Sequence, residues 1–390
     1  MLKHIAILAL ASLWLLGNQF AWGDAPSVSA NTAHTPAATH RKHTTARKST
    51  HRTTTAHRRS RRPVRDPWGL SSYANPGAFD DPAGDDPIVR EAAVNALGKW
   101  SGSIVVADPN TGRILSIVNQ KLALSSGFTP CSTFKPLVAL AGLREGLITP
   151  TTRIYVGNHM RVNLTEALAH SNNVYFLKVG QMLGFDRITE YAHEFGLGEQ
   201  AGLDIPGESP GKYPLAPPKE GGVGFLAYCG TNVDVTPLQM AAVISTIANG
   251  GTLYALQYPR TPEDIAAFQP VVRRRLDNLA EYIPQVRDGL AAAVLYGTGR
   301  SAYDPDLSIY GKTGTCSENG ARLGWFVSYA GELQSQYVAV VLLRGGRMMY
   351  GPHAAEIAGR FYRDLIQRER TTQASRDSSS PALGLMTIAR

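Results

Sequence analysis

Acidic side chains are absent from residues 25–65 of this 390-residue chain, a stretch of Thr, Ala, Ser, His and Pro that also holds ten Lys or Arg. With no apolar period it cannot build a core, and it reads as a disordered basic tether. Its five histidines, His34, His40, His43, His51 and His57, are too irregularly spaced for a metal site. Long apolar runs are scarce as well. The uncharged run at residues 5–16 would span about 18 Å as a helix, against about 30 Å of hydrocarbon. Preceded by Lys3 and followed by Ala21-Trp22-Gly23, it has the layout of a secretory signal cut after Gly23, or of a retained anchor that draws in residues 17–22. Both readings export the rest, and no cysteine follows the run to carry a lipid. Repeats and linker-like gaps are missing from residues 88–367.

The whole chain is 43% hydrophobic, 18% charged and 8% aromatic, which excludes wholesale disorder and a polytopic membrane protein. The formal net charge is +8. The tether supplies +10, Lys3 cancels Asp24, and residues 66–390 sum to −2. The basic character therefore belongs to the tether and is no argument for nucleic-acid binding. On an exported chain such a segment meets anionic lipid or wall polymers, or is simply a solvated linker. The expected organisation is a signal peptide or anchor at 1–23, a disordered basic linker at 24–87, one domain at 88–367 and a disordered tail at 368–390.

Within the domain, residues 103–107 and 114–118 read as strands around the turn Pro109-Asn110-Thr111-Gly112. Residues 324–329 and 337–343 read as a second β pair, followed by a helix at 354–366. Helical patterns cover 133–145, 165–183, 186–195 and 237–249. Strands at both ends around a helical middle imply an α+β fold: one antiparallel sheet flanked by helices, plus a mostly helical lobe across a cleft.

Three short motifs fall where such a cleft would lie. In Ser132-Thr133-Phe134-Lys135 a helical pitch puts an ammonium within reach of a hydroxyl. An amine whose pKa is lowered by burial can take a serine proton. Alone, the pattern is an ordinary Ser N-cap with a surface lysine. Ser171-Asn172-Asn173 offers a hydroxyl and an amide to relay a proton and hold a carbonyl; alone it is a polar break between helices. Lys312-Thr313-Gly314-Thr315 on a strand suits a carboxylate and an extended peptide laid along the edge; alone it is a solvated strand end.

Taken in this order and spacing, the three motifs are jointly specific. The sequence resembles the penicillin-binding protein transpeptidases over nearly all of residues 100–366. Further stretches that look like that family are Gly146-Leu147-Ile148-Thr149-Pro150, Asp204-Ile205-Pro206-Gly207-Glu208, Val235-Thr236-Pro237-Leu238-Gln239 and Ala248-Asn249-Gly250-Gly251. The resemblance implies acyl transfer on D-Ala-D-Ala stem peptides of peptidoglycan, without metal or organic cofactor. Ser132 would attack the penultimate D-Ala carbonyl, with Lys135 as general base. Ser171, helped by Lys312, would pass the proton to the leaving amine, and Asn173 would hold the acyl chain. Thr313 and Thr315 would bind the terminal carboxylate alongside Lys312, with Gly314 allowing close approach. The backbone N–H groups of Ser132 and Thr315 would form the oxyanion hole. β-Lactams would trap Ser132.

Several features depart from the family. No pedestal or glycosyltransferase domain is expected between tether and domain. The family's small residue before the serine is Cys131 here, and its Gly-Gln-Gly loop reads Tyr228-Cys229-Gly230. With Cys316, all three cysteines map by resemblance to the rim of one site. The expectation is one disulfide, involving Cys229, and one thiol left over. Rival readings on the same fold are a D,D-carboxypeptidase and a serine β-lactamase or penicillin sensor. The lactamase would need a second base, for which Glu208 is at a tempting distance and Glu166 lies on the wrong side of Ser171. A non-catalytic wall-binding module is the alternative of another class.

Overall fold

The β-branched run of β1 (Gly102–Ala107) is buried along its whole length, because it has helices on both sides. In the computed structural model of the chain, residues 79–125, 127–331 and 337–379 are described, all within one unit. The expected signal or anchor, and the tether as far as residue 78, lie outside the described residues. Among those that are described, no helix is long and apolar enough to cross a membrane.

β1 pairs with β2 (Ile114–Val118) through the 109–112 turn, where Gly112 has φ 76°. From the far end of the chain come β7 (Ile309–Glu318), β8 (Ala321–Ala330) and β9 (Tyr337–Gly345). Together they make one antiparallel sheet in the order β2-β1-β9-β8-β7, with Val105 opposite Val340 and Phe326 opposite Val341. The first hairpin and the last strands thus share a sheet, as the strand pattern implied.

Side-chain alternation divides the sheet's two faces. Ile104, Val106, Phe326, Ala339 and Val341 pack on α1 (Pro87–Leu97) and α10 (Gly351–Ser379). Val105, Trp325, Val327, Val340 and Leu342 face the helical lobe. That lobe is built on α7 (Pro237–Ala248), every residue of which is buried, entered through a Thr236–Gln239 capping box with Pro237 at its start. Around it lie α2 (Gln120–Leu124), α3 (Lys135–Arg144), α4 (Leu164–Ala169), α5 (Asn173–Glu194), α6 (Gly222–Cys229), α8 (Pro262–Ala267) and α9 (Ile283–Leu295). Two small hairpins, β3 (Ile154–Gly157) with β4 (Met160–Val162) and β5 (Thr252–Ala255) with β6 (Val271–Arg275), complete the description.

Three expectations are corrected. The linker does not run to residue 87: the Asp80 carboxylate accepts from the Asn119 and Gln120 N–H groups at 2.9 and 2.8 Å, and both Asp80 and Asp85 pair with Arg90. The acids that follow the basic tether anchor the chain to the domain. The tail does not begin at 368 either. Helix α10 continues to Ser379, and Arg368 pairs with Asp364 one turn back and with Glu91 on α1. The helix expected at 165–183 is two helices, and the break between them falls on the Ser171 motif.

Candidate active site

Pro130 and Cys131 turn the chain sharply before Ser132. Cys131 has φ 53°, a left-handed conformation uncommon for a residue with a Cβ. Residues Cys131–Phe134 then form a single 3₁₀ turn that runs into α3, whose first residue is Lys135. The serine is therefore at the tip of a helix N-terminus and half-buried, whereas the lysine one turn on is fully buried.

Lys135 Nζ donates to three acceptors: the Ser171 carbonyl at 2.7 Å, Ser171 Oγ at 3.0 Å and Asn173 Oδ1 at 2.7 Å. The helix break supplies them. Ser171 has φ 54° and its carbonyl is free of helix bonding, while Asn172 caps α5 by accepting from the Tyr175 N–H. Oδ1 of Asn173 faces the Lys135 Nζ, which leaves that amide's N–H₂ outward. Burial brings the Lys135 pKa down to about 7. Among the described residues no hydrogen bond engages Ser132 Oγ.

The third motif lies on β7, the edge strand of the sheet. Alternation puts Lys312 and Gly314 on the face turned to the Cys131–Phe134 turn, and Thr313 and Thr315 on the other. A Cβ on Gly314 would lie 3.0 Å from the Pro130 carbonyl oxygen and 3.1 Å from Thr133 Cγ2, so the strand's close approach to the serine leaves little room for a side chain there. Lys312 is fully buried and its Nζ donates to the Thr313 carbonyl at 3.0 Å. Burial first, and the nearby positive charge of Lys135 second, hold its pKa well below the usual lysine range.

Contacts that short motifs cannot announce hold the parts together. The Thr298 N–H donates to the Ala169 carbonyl at 3.0 Å, just before the helix break, and the Thr298 and Thr313 hydroxyls lie 2.6 Å apart. Glu318 accepts from the Thr129 N–H and hydroxyl, and Trp325 Nε1 donates to the Thr129 carbonyl. Thr315 Oγ1 accepts from the Gly351 N–H at the start of α10, 2.8 Å away. A cleft of about 410 Å³ is lined by Ser132, Ser171, Thr298, Thr313, Thr315 and Arg322, with Tyr350 and Pro352 beside them. Thr298, Glu318, Trp325 and Arg322 escaped the sequence reading, since each acts by position in space and carries no local pattern.

The three cysteines make the expected one disulfide and one free thiol, but Cys229 is not in the bridge. Cys131 and Cys316 are joined, their Cα atoms 5.7 Å apart, and Cys229 is the free thiol. Cys229 ends α6 beside the Cys131–Phe134 turn, where burial raises its pKa. The two bridged residues are brought together by the same close approach that Gly314 permits.

The acids weighed as a second base are otherwise engaged. Glu208 is buried, and its carboxylate accepts from the Ala201 and Gly202 N–H groups. Glu166 accepts from the Tyr296 hydroxyl at 2.9 Å.

Comparison with known proteins agrees with this geometry. Residues 102–366 match the penicillin binding protein transpeptidase domain family. Stage V sporulation protein D of Bacillus subtilis is 30% identical over 337 residues, covering 72% of this chain and 51% of that protein. The peptidoglycan D,D-transpeptidase MrdA of Acinetobacter baumannii is 25% identical over 346 residues, covering 69% and 51%. The chain spans about half the length of these curated relatives. In fold it is similar to the transpeptidase domain of Burkholderia pseudomallei penicillin-binding protein 3, with a TM-score of 0.64 at 20% identity over 75% of this chain and 97% of that one. The three motifs, the edge strand they meet on and the matched span agree: the chain belongs to the penicillin-binding protein transpeptidase domain family.

Proposed function

We propose that this chain is an exported serine D,D-transpeptidase that acts on the D-Ala-D-Ala ends of peptidoglycan stem peptides and is acylated by β-lactams at Ser132. The observation that carries the reading is the buried Lys135, hydrogen-bonded to both Ser171 and Asn173 and with its pKa near 7. Near neutral pH a large share of that amine is unprotonated, with a lone pair for the Ser132 proton one helical turn away.

The chemistry follows from these positions. Ser132 Oγ attacks the penultimate D-Ala carbonyl as its proton passes to Lys135. The developing oxyanion is met by the Ser132 and Thr315 N–H groups, a kind of donor worth about 3 to 4 kcal/mol each in acyl transfer. The C–N bond then breaks, Ser171 hands the proton on to the departing D-Ala amine, and Ser132 is left as an ester. An acceptor amine attacks that ester, forming the cross-link and returning the proton to Ser132 Oγ. Asn173 holds the acyl chain through its free N–H₂.

Glu208 and Glu166 are engaged in contacts of their own, which favours a long-lived β-lactam ester over rapid hydrolysis. The basic residues at 25–65 suit an anionic lipid or wall-polymer surface. The test is a donor-plus-acceptor stem-peptide assay. Release of D-Ala with a cross-linked product supports the reading; release with hydrolysed donor alone makes the chain a carboxypeptidase; no turnover of any donor overturns it.

A further inference from the structure

The reaction proposed above leaves one proton without a destination. An acceptor reaches the cleft as an ammonium, because an alkyl amine with an ordinary pKa of about 10 is neutral in only about one molecule in a thousand at pH 7. The proton lost during attack on the ester returns to Ser132 Oγ. The proton lost before attack has no receiver among Ser132, Lys135 and Ser171.

Three titratable side chains stand together at the rim of the cleft, next to Ser171. Glu166 on α4 and His170, which ends that helix, are one turn apart, with Glu166 Oε2 3.4 Å from His170 Nε2. The Tyr296 hydroxyl donates to Glu166 Oε1 at 2.9 Å, and its ring centre lies 5.8 Å from that of the imidazole. An exposed Glu–His pair at this spacing is ordinary on a helix. Its place here is not. His170 directly precedes Ser171, Tyr296 comes two residues before Thr298, and Ser171 and Thr298 both line the cleft. The bond from the Thr298 N–H to the Ala169 carbonyl holds the two segments side by side. His170 and Tyr296 each end a helix, α4 and α9, and helix C-termini favour an arriving cation.

The Glu166 carboxylate accepts from Nε2–H of the imidazole, which puts the lone pair on Nδ1. Among the described residues no hydrogen bond engages that atom, and Glu166 is the one charged group paired with the ring. His170 is exposed to an incoming ligand, whereas Lys135 is buried and already bonded to Ser171.

We propose that His170, oriented by Glu166 and Tyr296, is the base that deprotonates the acceptor's ammonium. The inference rests on the function proposed above for the site. One N–H bond of the ammonium breaks and its proton goes to His170 Nδ1, which leaves an imidazolium beside the Glu166 carboxylate and a neutral amine beside Ser171. The amine attacks the Ser132 ester, and the exposed imidazolium sheds its proton to solvent. The pair acts on the amine before the ester is reached, so acylation by a β-lactam does not draw on it.

The experiment gives wild type, His170→Gln and Glu166→Gln the same D-Ala-D-Ala donor with two nucleophiles: a peptide whose lysine side chain is the acceptor, and hydroxylamine, which is mostly neutral at pH 7. His170→Gln should slow transfer to the lysine peptide about 10- to 100-fold, with transfer to hydroxylamine and acylation by benzylpenicillin staying within about threefold. Glu166→Gln should lose part of the same rate. Equal losses with both nucleophiles, no loss with either, or wild-type transfer to hydroxylamine alone overturns the proposal. A wild type that turns over no donor defeats the function proposed for the site, and the base is then decided by histidine ¹⁵N NMR on Ser132→Ala, which needs no acylation. The lysine peptide should shift the signal that is missing from Ser132→Ala/His170→Gln, and its N-acetylated form should not. A signal indifferent to both peptides overturns the assignment.

Discussion

The Cys131–Cys316 bridge ties the residue immediately before Ser132 to the residue immediately after Thr315. These neighbours carry the two N–H groups assigned to the oxyanion, so one covalent link spans both walls of that hole. It also closes a sequence separation of 185 residues. A link of that span stabilises a fold by about 2–5 kcal/mol. Cys131→Ser/Cys316→Ser should lose stability of that order in denaturant unfolding and should acylate more slowly at 25 °C while still folded. Cys229→Ser should do neither. A non-reduced digest should contain the 131–316 peptide pair, with Cys229 open to alkylation once the protein is unfolded.

In the proposed mechanism Lys135 works as the neutral amine and so sets the pH dependence; burial brings its pKa down to about 7. The β-lactam acylation rate should rise with pH through about 7 and level off above it, with the sign opposite to that of a required acid. Lys135→Ala should lose about 10²–10⁴-fold in rate and the inflection with it. Stopped-flow acylation from pH 5.5 to 9 reads both.

Glu208 separates structural from catalytic acids. Its carboxylate gathers the Ala201 and Gly202 N–H groups in a buried turn. Glu208→Ala should cost about 1.5–3 kcal/mol of stability and leave the lifetime of the penicilloyl ester unchanged. Thermal unfolding and the rate of label loss from the same sample check the two halves.

Arg90 joins Asp80 and Asp85 to α1, and Asp85 also accepts from Ser116 and from the Tyr258 hydroxyl. Both carboxylates are nearly inaccessible, so Arg90→Ala strands two buried acids. It should cost about 3 kcal/mol in urea unfolding while penicillin labelling of the folded fraction stays normal.

The sheet and its sharing by both ends of the domain were legible because β-branched runs at 103–107 and 337–343 have no competing helical period. The motif residues were legible because their chemistry is local. The hydroxyl and amine of Ser132 and Lys135 sit one turn apart, and Lys312, Thr313 and Thr315 follow strand alternation. The break at Ser171 was offered by the polar Ser171-Asn172-Asn173 step as an alternative reading, but the apolar period on either side of it made one helix of 165–183. The cysteine pairing was not legible, since it depends on how closely β7 approaches the Cys131–Phe134 turn, an approach that Gly314 eases. The outer boundaries erred because Asp80 and Arg368 gain their partners only in the folded domain.

Intact-protein mass after incubation with benzylpenicillin, followed by peptide mapping, tests the central claim most directly. The wild type should gain the mass of one penicillin molecule, carried by the peptide containing Ser132, and Ser132→Ala should gain none. An unchanged mass in folded wild-type protein, or an adduct mapped to another residue, would contradict the account.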